Sequence, residues 1–180
     1  MSTQATTKWV LDPTHTEIGF KAKHLMITTV SGKFEKFEGV VETEGDDLNT
    51  AKISFAAEAN SINTANEQRD GHLKSAEFFD AEKFPQLKFV STKFEKVDDE
   101  NYKLHGDLTI RDVTKAVQLS VEYSGTAQDP WGNTKAGFVL NGKINRKDWG
   151  LNWNVGLETG GVLVSEEIKL NCEVQLVKQA

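Results

Sequence analysis

Apolar and polar residues alternate along most of this chain, and turn-forming residues interrupt the alternation at short intervals. A β-strand points successive side chains to opposite faces, so this pattern predicts antiparallel sheet with one face buried. The stretch from Tyr102 to Ile110, for example, places Leu104, Gly106 and Leu108 on one face. About eight strands of this kind are expected, and barrel closure is the usual way to remove the open edges of such a sheet. The predicted fold class is therefore all-β, an eight-stranded antiparallel barrel.

Clusters of Asp, Asn, Gly and Pro divide the chain into these strands. Residues 1–7 are expected to be a disordered tail before a single domain over residues 8–180. Ser31-Gly32 is interpreted as a turn, and the apolar spacing slips near Gly39, which indicates a bulge. The predicted strands are residues 8–11, 16–24, 33–44, 51–59, 87–97, 102–110, 117–123, 135–144 and 162–177.

Residues 64–76 depart from the strand pattern. Thr64 and Glu67 have the spacing of a capping box, in which each side chain satisfies a backbone donor at the start of a helix. A short helix over residues 65–76 is therefore predicted. Gly71 inside it is unfavourable for a helix, so we expect a close contact to require it.

The bulk properties limit the classes of partner. A chain of 180 residues suits one domain. A net charge of −6 argues against nucleic acid as a partner and against attraction to an anionic membrane surface. No apolar run approaches the roughly 20 residues needed to span a bilayer, so no stable membrane insertion is expected. The N-terminal residues lack the apolar segment of a secretion signal, which predicts a cytoplasmic protein; the alternative is a periplasmic one whose signal has been removed.

Motifs for metals, cofactors and covalent catalysis are missing from the sequence. The histidines at positions 15, 24, 72 and 105 have no pairwise spacing typical of metal ligands. We find no nucleophile elbow, phosphate-binding loop or dinucleotide-binding turn. The single cysteine, Cys172, lies in an alternating apolar run and is interpreted as a small core residue. We therefore expect no metal, no cofactor and no enzyme activity.

The densest polar cluster is Arg69-Asp70-Gly71-His72. On a helix, Arg69 and His72 share a face. These residues have two functional interpretations, contacts to a ligand head group at the barrel mouth or an acid–base pair. The structural interpretation is a network that fixes the helix to the strands. The sequence is compatible with all three interpretations.

Two further residue types allow two interpretations each. His24 is phased with the barrel interior, where it is either a buried neutral histidine or a polar contact for a ligand. Trp149 and Trp153 flank a Gly- and Asn-rich loop. They either cap one end of the barrel or line the mouth of a pocket.

Several blocks in this order along the chain resemble the YceI-like family. The most specific are R-D-x-H-L-x-S at residues 69–75 and the F-F-D that follows at residues 78–80. The other blocks are Asp12-Pro13-Thr14-His15-Thr16, Ser31-Gly32-Lys33-Phe34, Ser61-Ile62-Asn63-Thr64, Gly106-Asp107-Leu108-Thr109-Ile110, Arg146-Lys147-Asp148-Trp149-Gly150 and Val164-Ser165-Glu166-Glu167-Ile168.

The resemblance implies a lipocalin-like, extended barrel with the short helix at its opening. Members of the family hold long-chain isoprenoid or other fatty lipids in an elongated apolar tunnel and often form homodimers. Most of them are periplasmic and carry a secretion signal. This chain is similar to the members without a signal.

The predicted ligand-binding side chains lie on the inward faces of the strands. Small inward residues, such as Ala22, Ala59, Ala136 and Gly142, would leave room along the barrel axis. The alternative is that the inward phenylalanines fill that room. The predicted lining is Phe20, His24, Phe34, Phe55, Ala57, Phe89, Leu108, Phe138, Leu140 and Trp149, with Arg69, Asp70 and His72 at the mouth.

Three functions are compatible with these features. The first is a carrier that binds or sequesters a polyisoprenoid-like lipid, and the family resemblance favours it. The second is a small hydrolase or isomerase that uses Arg69, Asp70 and His72. The third is a barrel that binds protein partners, which would require an exposed apolar patch.

Overall fold

The computed structural model describes residues 5–154 and 163–179, and within them the chain is almost entirely antiparallel sheet. One helix, α1, spans Glu67–Lys74, and single 3₁₀ turns span Ala59–Ser61 and Arg146–Trp149. The strands are β1 Thr6–Leu11, β2 Glu17–His24, β3 Thr28–Phe34, β4 Phe37–Glu44, β5 Asp47–Glu58, β6 Ile62–Asn63, β7 Gln86–Lys96, β8 Asn101–Ile110, β9 Val113–Gln128, β10 Thr134–Asn145 and β11 Glu167–Lys178.

Eight of these strands close into a ring. Their order is β1-β4-β5-β7-β8-β9-β10-β11, and β11 returns to β1 through the Trp9–Lys178 and Leu11–Leu176 pairs. The other three strands lengthen the wall at one end, because β2 pairs with the N-terminal half of β11, β3 with β2, and β6 with β3. The predicted eight-stranded antiparallel barrel with one short helix is confirmed, and its end at β2, β3 and α1 is called the mouth below.

Strand β1 begins within the stretch that was expected to be a disordered tail. Thr6 and Thr7 pair with Glu44 and Thr43, so β1 begins two residues earlier than the strand predicted from residue 8. The rest of the predicted tail, residues 1–4, lies outside the described residues, as does residue 162 at the predicted start of the last strand.

The predicted turn at Ser31-Gly32 is wrong. Both residues lie inside β3, where they pair with Lys21 and Phe20. A Cβ atom on Gly32 would lie 2.4 Å from Cζ of Phe20 and 2.8 Å from Cγ2 of Thr64. The glycine is therefore needed for close packing, and the strand predicted over residues 33–44 is instead broken between β3 and β4.

The hairpin between β2 and β3 turns at Leu25 and Met26, which have φ angles of 54° and 62°. The N–H of Ile27 donates to the carbonyl of His24 at 3.1 Å. Two consecutive positive φ angles are the requirement of a type I′ turn, which usually takes Asn and Gly. Leu and Met adopt this conformation at a cost of about 1–2 kcal/mol each. Because neither residue favours such a turn, the local sequence does not predict it.

Helix α1 begins later than predicted. Asn66 is the N-cap, and its side-chain oxygen accepts a hydrogen bond from the N–H of Arg69 at 2.9 Å. Ala65 has a φ of 64°, which is incompatible with a helix that starts there. The predicted Thr64–Glu67 capping box is therefore wrong. The close contact expected at Gly71 is also wrong, since a Cβ there would meet nothing within 4 Å.

The buried side chains form two clusters along the barrel. One lies at the mouth end and includes Phe34, Ala57 and Trp149. The other lies deeper and includes Trp9, Phe89 and Phe138. Among the described residues, no helix is long and apolar enough to cross a membrane.

Candidate functional site

A cavity of about 820 Å³ occupies the barrel interior. Eight-stranded barrels have room for side chains or for one small ligand, and this volume lies within the roughly 300–1,000 Å³ typical of ligand sites. Every second residue of β11 from Ile168 to Leu176 lines it. At about 3.4 Å per residue, this stretch of wall is roughly 27 Å long along the strand. The cavity is thus elongated as well as large.

Nearly all of the predicted lining residues are in the cavity wall. The alternation of apolar and polar residues therefore identified the inward faces correctly. The phenylalanines border the empty space and leave it open, so the alternative that they fill the barrel is wrong. The predicted residues that line the cavity are Phe20, His24, Phe34, Phe55, Ala57, Phe89, Leu108, Phe138 and Leu140.

The small inward residues have two different roles. Ala22, Ala57 and Ala136 line the cavity and leave room in it. At Gly106 and Gly142 the space is already taken, because a Cβ would lie 2.3 Å from Cζ of Phe89 and 2.3 Å from Cδ2 of Leu119, respectively. These glycines therefore make room for neighbouring side chains, and they add no free volume.

Trp149 is not part of the cavity wall. Its side chain is only 2% exposed and packs in the cluster at the mouth end. Its indole N–H donates to the carbonyl of Leu108 at 2.8 Å, which fixes the 3₁₀ turn to β8. Trp153, four residues later, does line the cavity. Trp149 therefore packs in the core at one end of the barrel, whereas Trp153 lines the cavity.

Asp70 and Arg69 form a network around Thr64. Oδ1 of Asp70 accepts hydrogen bonds from the N–H and the hydroxyl of Thr64. Arg69 donates from Nε to the Thr64 hydroxyl at 2.8 Å and from Nη2 to the Thr64 carbonyl at 2.6 Å. Arg69 borders the cavity, whereas Asp70 does not. The arrangement fixes α1 to β6, as the structural interpretation of this cluster predicts.

His72 lies at the mouth between two aromatic rings. Its ring centroid is 5.0 Å from that of Phe78 and 4.5 Å from that of Trp153, both edge-on. Nε2 lies 2.5 Å from a carboxylate oxygen of Glu77. The imidazole borders the cavity, so these contacts hold a polar group where a ligand would enter.

Arg146 is a lining residue that the sequence reasoning missed. It is only 3% exposed, and burial lowers the pKa of its guanidinium, an effect that Glu166 partly offsets. The group donates to the carbonyls of Leu151 and Trp153 at 2.7 and 2.8 Å, and further bonds reach the carbonyls of Val164 and Ser165. Among the described residues no carboxylate forms an ion pair with it.

The position of Arg146 was detectable in the sequence. Gly142 and Ile144 face inward on β10, so a period of two continues inward to Arg146. The guanidinium lies 5.9 Å from the ring centroid of Phe78 and borders the cavity at its mouth. A buried cation thus adds positive charge to the end of the cavity at which Arg69 and His72 also lie.

The site offers little to covalent or metal chemistry. Within residues 5–154 and 163–179, no three His, Cys, Asp or Glu side chains are grouped so that they could hold a metal ion. Cys172 lines the cavity, but burial raises the pKa of its thiol to about 11, which keeps it protonated near neutral pH. What the arrangement can do is enclose an apolar chain and place polar groups at one end of it.

The chain is similar to known proteins along nearly its whole length. A family model described as a YceI-like domain matches residues 9–176. A UPF0312 protein of Staphylococcus aureus strain MSSA476 is 36% identical over 170 residues, which cover 94% of this chain and 96% of the relative. The crystal structure of a Campylobacter jejuni YCEI protein has 35% identity and a TM-score of 0.76, covering 88% of this chain and 90% of that one.

Two solved structures of lower identity share the fold. BcnA of Burkholderia cenocepacia is 19% identical, with a TM-score of 0.77 and coverage of 92% of this chain and 98% of that one. A polyisoprenoid-binding domain from Saccharophagus degradans is 15% identical, with a TM-score of 0.67 and coverage of 95% and 98%. At these identities the likeness concerns the architecture alone.

Proposed function

Because the chain belongs to the YceI-like family, we propose that it binds one long-chain lipid inside the barrel and carries or sequesters it. The observation that carries the proposal is the elongated cavity of about 820 Å³ with an almost wholly aliphatic and aromatic wall. Burial of an apolar chain there is favourable in itself. At roughly 0.3 kcal/mol per atom, a ligand of about 40 carbon atoms would gain on the order of 12 kcal/mol.

The positions of the polar groups in the cavity wall predict how the ligand is oriented. Arg69, His72 and Arg146 all border the cavity at the mouth end, while the wall of the deeper cluster is apolar. An amphiphile with its polar group at the mouth and its chain toward Phe89 and Phe138 satisfies both regions. A polyisoprenoid-like lipid has this form. The polyisoprenoid-binding domain of Saccharophagus degradans, which has the same architecture, supports this ligand class.

The test is mass spectrometry of an organic extract from protein purified without detergent. We expect a prenyl or acyl lipid in stoichiometric amount. Ala136→Phe should reduce the lipid content several-fold, because Ala136 is buried in the cavity wall and the larger ring would occupy the space of the chain.

The matched control is Val90→Phe, which adds the same ring at an exposed position outside the barrel. This variant should keep its lipid. Both variants are compared by circular dichroism and thermal unfolding, so that only folded protein is extracted. An unchanged lipid content in folded Ala136→Phe protein, or no lipid in the wild type after incubation with prenyl and acyl lipids, would contradict the proposal.

A further inference from the structure

The hairpin between β2 and β3 ends in an apolar tip. Leu25, Met26 and Ile27 are 37%, 54% and 76% exposed, respectively. Leu25 and Met26 occupy turn positions that usually take Asn and Gly, so their backbone conformation is unfavourable. Exposure of their apolar side chains to water is unfavourable as well. Three consecutive large apolar side chains of this kind are typical of an interaction site.

This tip stands at the rim of the cavity. The N–H of Leu25 donates to the carbonyl of Leu163 at 2.8 Å, and His24 pairs with Val164. His24, Leu163 and Val164 all line the cavity. Whatever contacts the tip is therefore brought next to the entrance of the lipid site.

Exposed lysines lie on the outer wall just below the tip. Lys143 is opposite Lys169 across β10 and β11, and Lys169 is opposite Lys21 across β11 and β2. Lys23 is two residues nearer to the tip. Like charges directly opposite each other on a sheet are destabilising. In the part of the chain that the structure describes, only Lys143 of this group forms an ion pair, with Glu167 at 3.8 Å.

Six of the 27 acidic residues lie at the end of the barrel opposite the mouth. The net charge of −6 predicts repulsion from an anionic surface, but that repulsion depends on which end approaches. The turns farthest from the mouth join β4 to β5, β7 to β8, and β9 to β10. Their acidic residues are Asp46, Asp47, Asp98, Asp99, Glu100 and Asp129.

We propose that the mouth end docks on the surface of a phospholipid bilayer that contains anionic lipid. Leu25, Met26 and Ile27 enter the boundary between head groups and acyl chains, and the lysines face the anionic head groups. At about 3.3 Å per residue, Lys21 lies roughly 13 Å below Leu25 along the strand. If the tip enters the membrane by about 5–10 Å, Lys21, Lys169 and Lys143 come within roughly 8 Å of the membrane surface. This distance is the Debye length at physiological salt, so the lysines can be attracted to anionic head groups. This inference rests on the proposed function, because docking in this pose places the entrance of the lipid site at the membrane surface.

The experiment is flotation of the full chain with vesicles of phosphatidylcholine mixed with phosphatidylglycerol, and with vesicles of phosphatidylcholine alone. The wild type should float with the mixed vesicles and more weakly with the neutral ones. Ile27→Asp should lose about tenfold or more in vesicle affinity, because burial of this side chain is lost and a negative charge is added. The double variant Lys21→Gln, Lys169→Gln should lose most of the preference for anionic vesicles.

The control is Trp131→Asp, which makes the same kind of change at an 83% exposed residue of the far end. It should bind vesicles as the wild type does. Equal vesicle binding by wild type and Ile27→Asp would overturn docking at the tip. So would a wild type that ignores vesicles but forms a dimer that Ile27→Asp dissociates, since the tip would then contact a second copy.

The failure of docking and the failure of the lipid site give different results. Ile27 is outside the cavity wall, so Ile27→Asp should keep the lipid found by mass spectrometry. Lipid in the extract with tip-independent flotation would overturn docking and leave the lipid site standing. Tip-dependent flotation of a protein that takes up no lipid would support docking and contradict the carrier function.

Discussion

Oδ1 of Asp70 accepts two hydrogen bonds from Thr64, one from its backbone N–H at 2.9 Å and one from its hydroxyl at 2.5 Å. The hydroxyl in turn accepts from Nε of Arg69, so the carboxylate, hydroxyl and guanidinium are directly linked. Thr64 is buried, and the network connects the short β6 strand to α1. The Arg69-Asp70 pair is therefore committed to positioning the helix that borders the cavity.

We expect Asp70→Ala to lower the free energy of unfolding by about 1.5–3 kcal/mol, since two hydrogen bonds to a charged acceptor are lost and the buried Thr64 N–H has no replacement. Urea denaturation measures the change. Glu67→Ala, an exposed substitution in the same helix, serves as the control and should change stability by less than about 0.5 kcal/mol. Wild-type stability in Asp70→Ala would show that the network contributes nothing.

His72 separates the structural interpretation of this cluster from the hydrolase or isomerase hypothesis. The structure predicts that His72→Ala lowers the free energy of unfolding by about 1 kcal/mol through loss of its edge-on contacts with Phe78 and Trp153. Thermal unfolding tests this directly. The enzyme hypothesis predicts instead a turnover that the wild type shows and folded His72→Ala protein lacks, and a panel of ester and isoprenoid substrates would detect it.

Gly106 on β8 and Gly137 on β10 differ in the space beside them. A Cβ on Gly106 would lie 2.3 Å from the ring of Phe89 and 2.6 Å from the carbonyl oxygen of Val90, whereas on Gly137 the nearest atom is 3.6 Å away. Gly106→Ala should therefore cost about 1–3 kcal/mol by overpacking. Gly137→Ala should be neutral or stabilise by up to about 1 kcal/mol, because it restricts the unfolded chain. Equal stability of the two variants in urea would refute this difference.

The alternation of the strands was sufficient to predict the barrel and most of the cavity wall. Inward positions such as Phe55, Leu108 and Phe138 follow from a period of two, and that period is set by backbone geometry alone. Arg146 obeys the same period and was overlooked because a charged residue was not expected inside. The cavity itself was not predictable, because its volume depends on how side chains from different strands pack.

Local turn rules failed where long-range pairing decides the backbone. The pairing of Ala22 with Val30 and of His24 with Thr28 places the β2–β3 turn at Leu25 and Met26, although neither residue favours it. Conversely, Gly32 looked like a turn residue because its packing against Phe20 is invisible in the sequence. In both cases contacts between strands override the preference of single residues.

Asp12 joins the end of β1 to β10 and should make stability depend on pH. Burial raises the pKa of its carboxyl, but hydrogen bonds from Thr14, His15 and Lys135 outweigh that effect and hold the pKa well below its ordinary value. Lys135 donates to Oδ2 at 3.0 Å. A folded-state pKa that is depressed contributes stability above the unfolded-state pKa of about 4, and the contribution is lost as the pH falls toward the folded value.

Asp12→Asn should therefore be less stable than the wild type by about 1.5–3 kcal/mol at pH 7, and the difference should shrink as the pH is lowered below about 4. Urea denaturation at a series of pH values measures both curves. Asp99→Asn is the control, because its side chain is 99% exposed, and its curve should follow that of the wild type. A difference between Asp12→Asn and wild type that is constant down to acid pH would disprove the assignment.

Cys172 offers a chemical probe of the cavity, because it is the only cysteine of the chain and its side chain lines the wall. Burial raises the pKa of this thiol from 9.0 to about 11. At pH 8 the thiolate fraction is then about 100-fold smaller than for a thiol with the ordinary value, since each pKa unit is a factor of ten. A disulfide reagent such as dithionitrobenzoate should therefore label the folded protein at least about 100-fold more slowly than the urea-unfolded protein.

Lipid in the cavity should slow this labelling further, because the chain would cover the wall at Cys172. Protein stripped of lipid by organic extraction and refolding, compared with protein reloaded with a prenyl lipid, provides the matched pair. Ala136→Phe should show a smaller difference between the two, since it takes up several-fold less lipid. If folded protein were labelled as fast as unfolded protein, Cys172 would have to be accessible and ionised, and the thiol would not belong to a closed apolar wall.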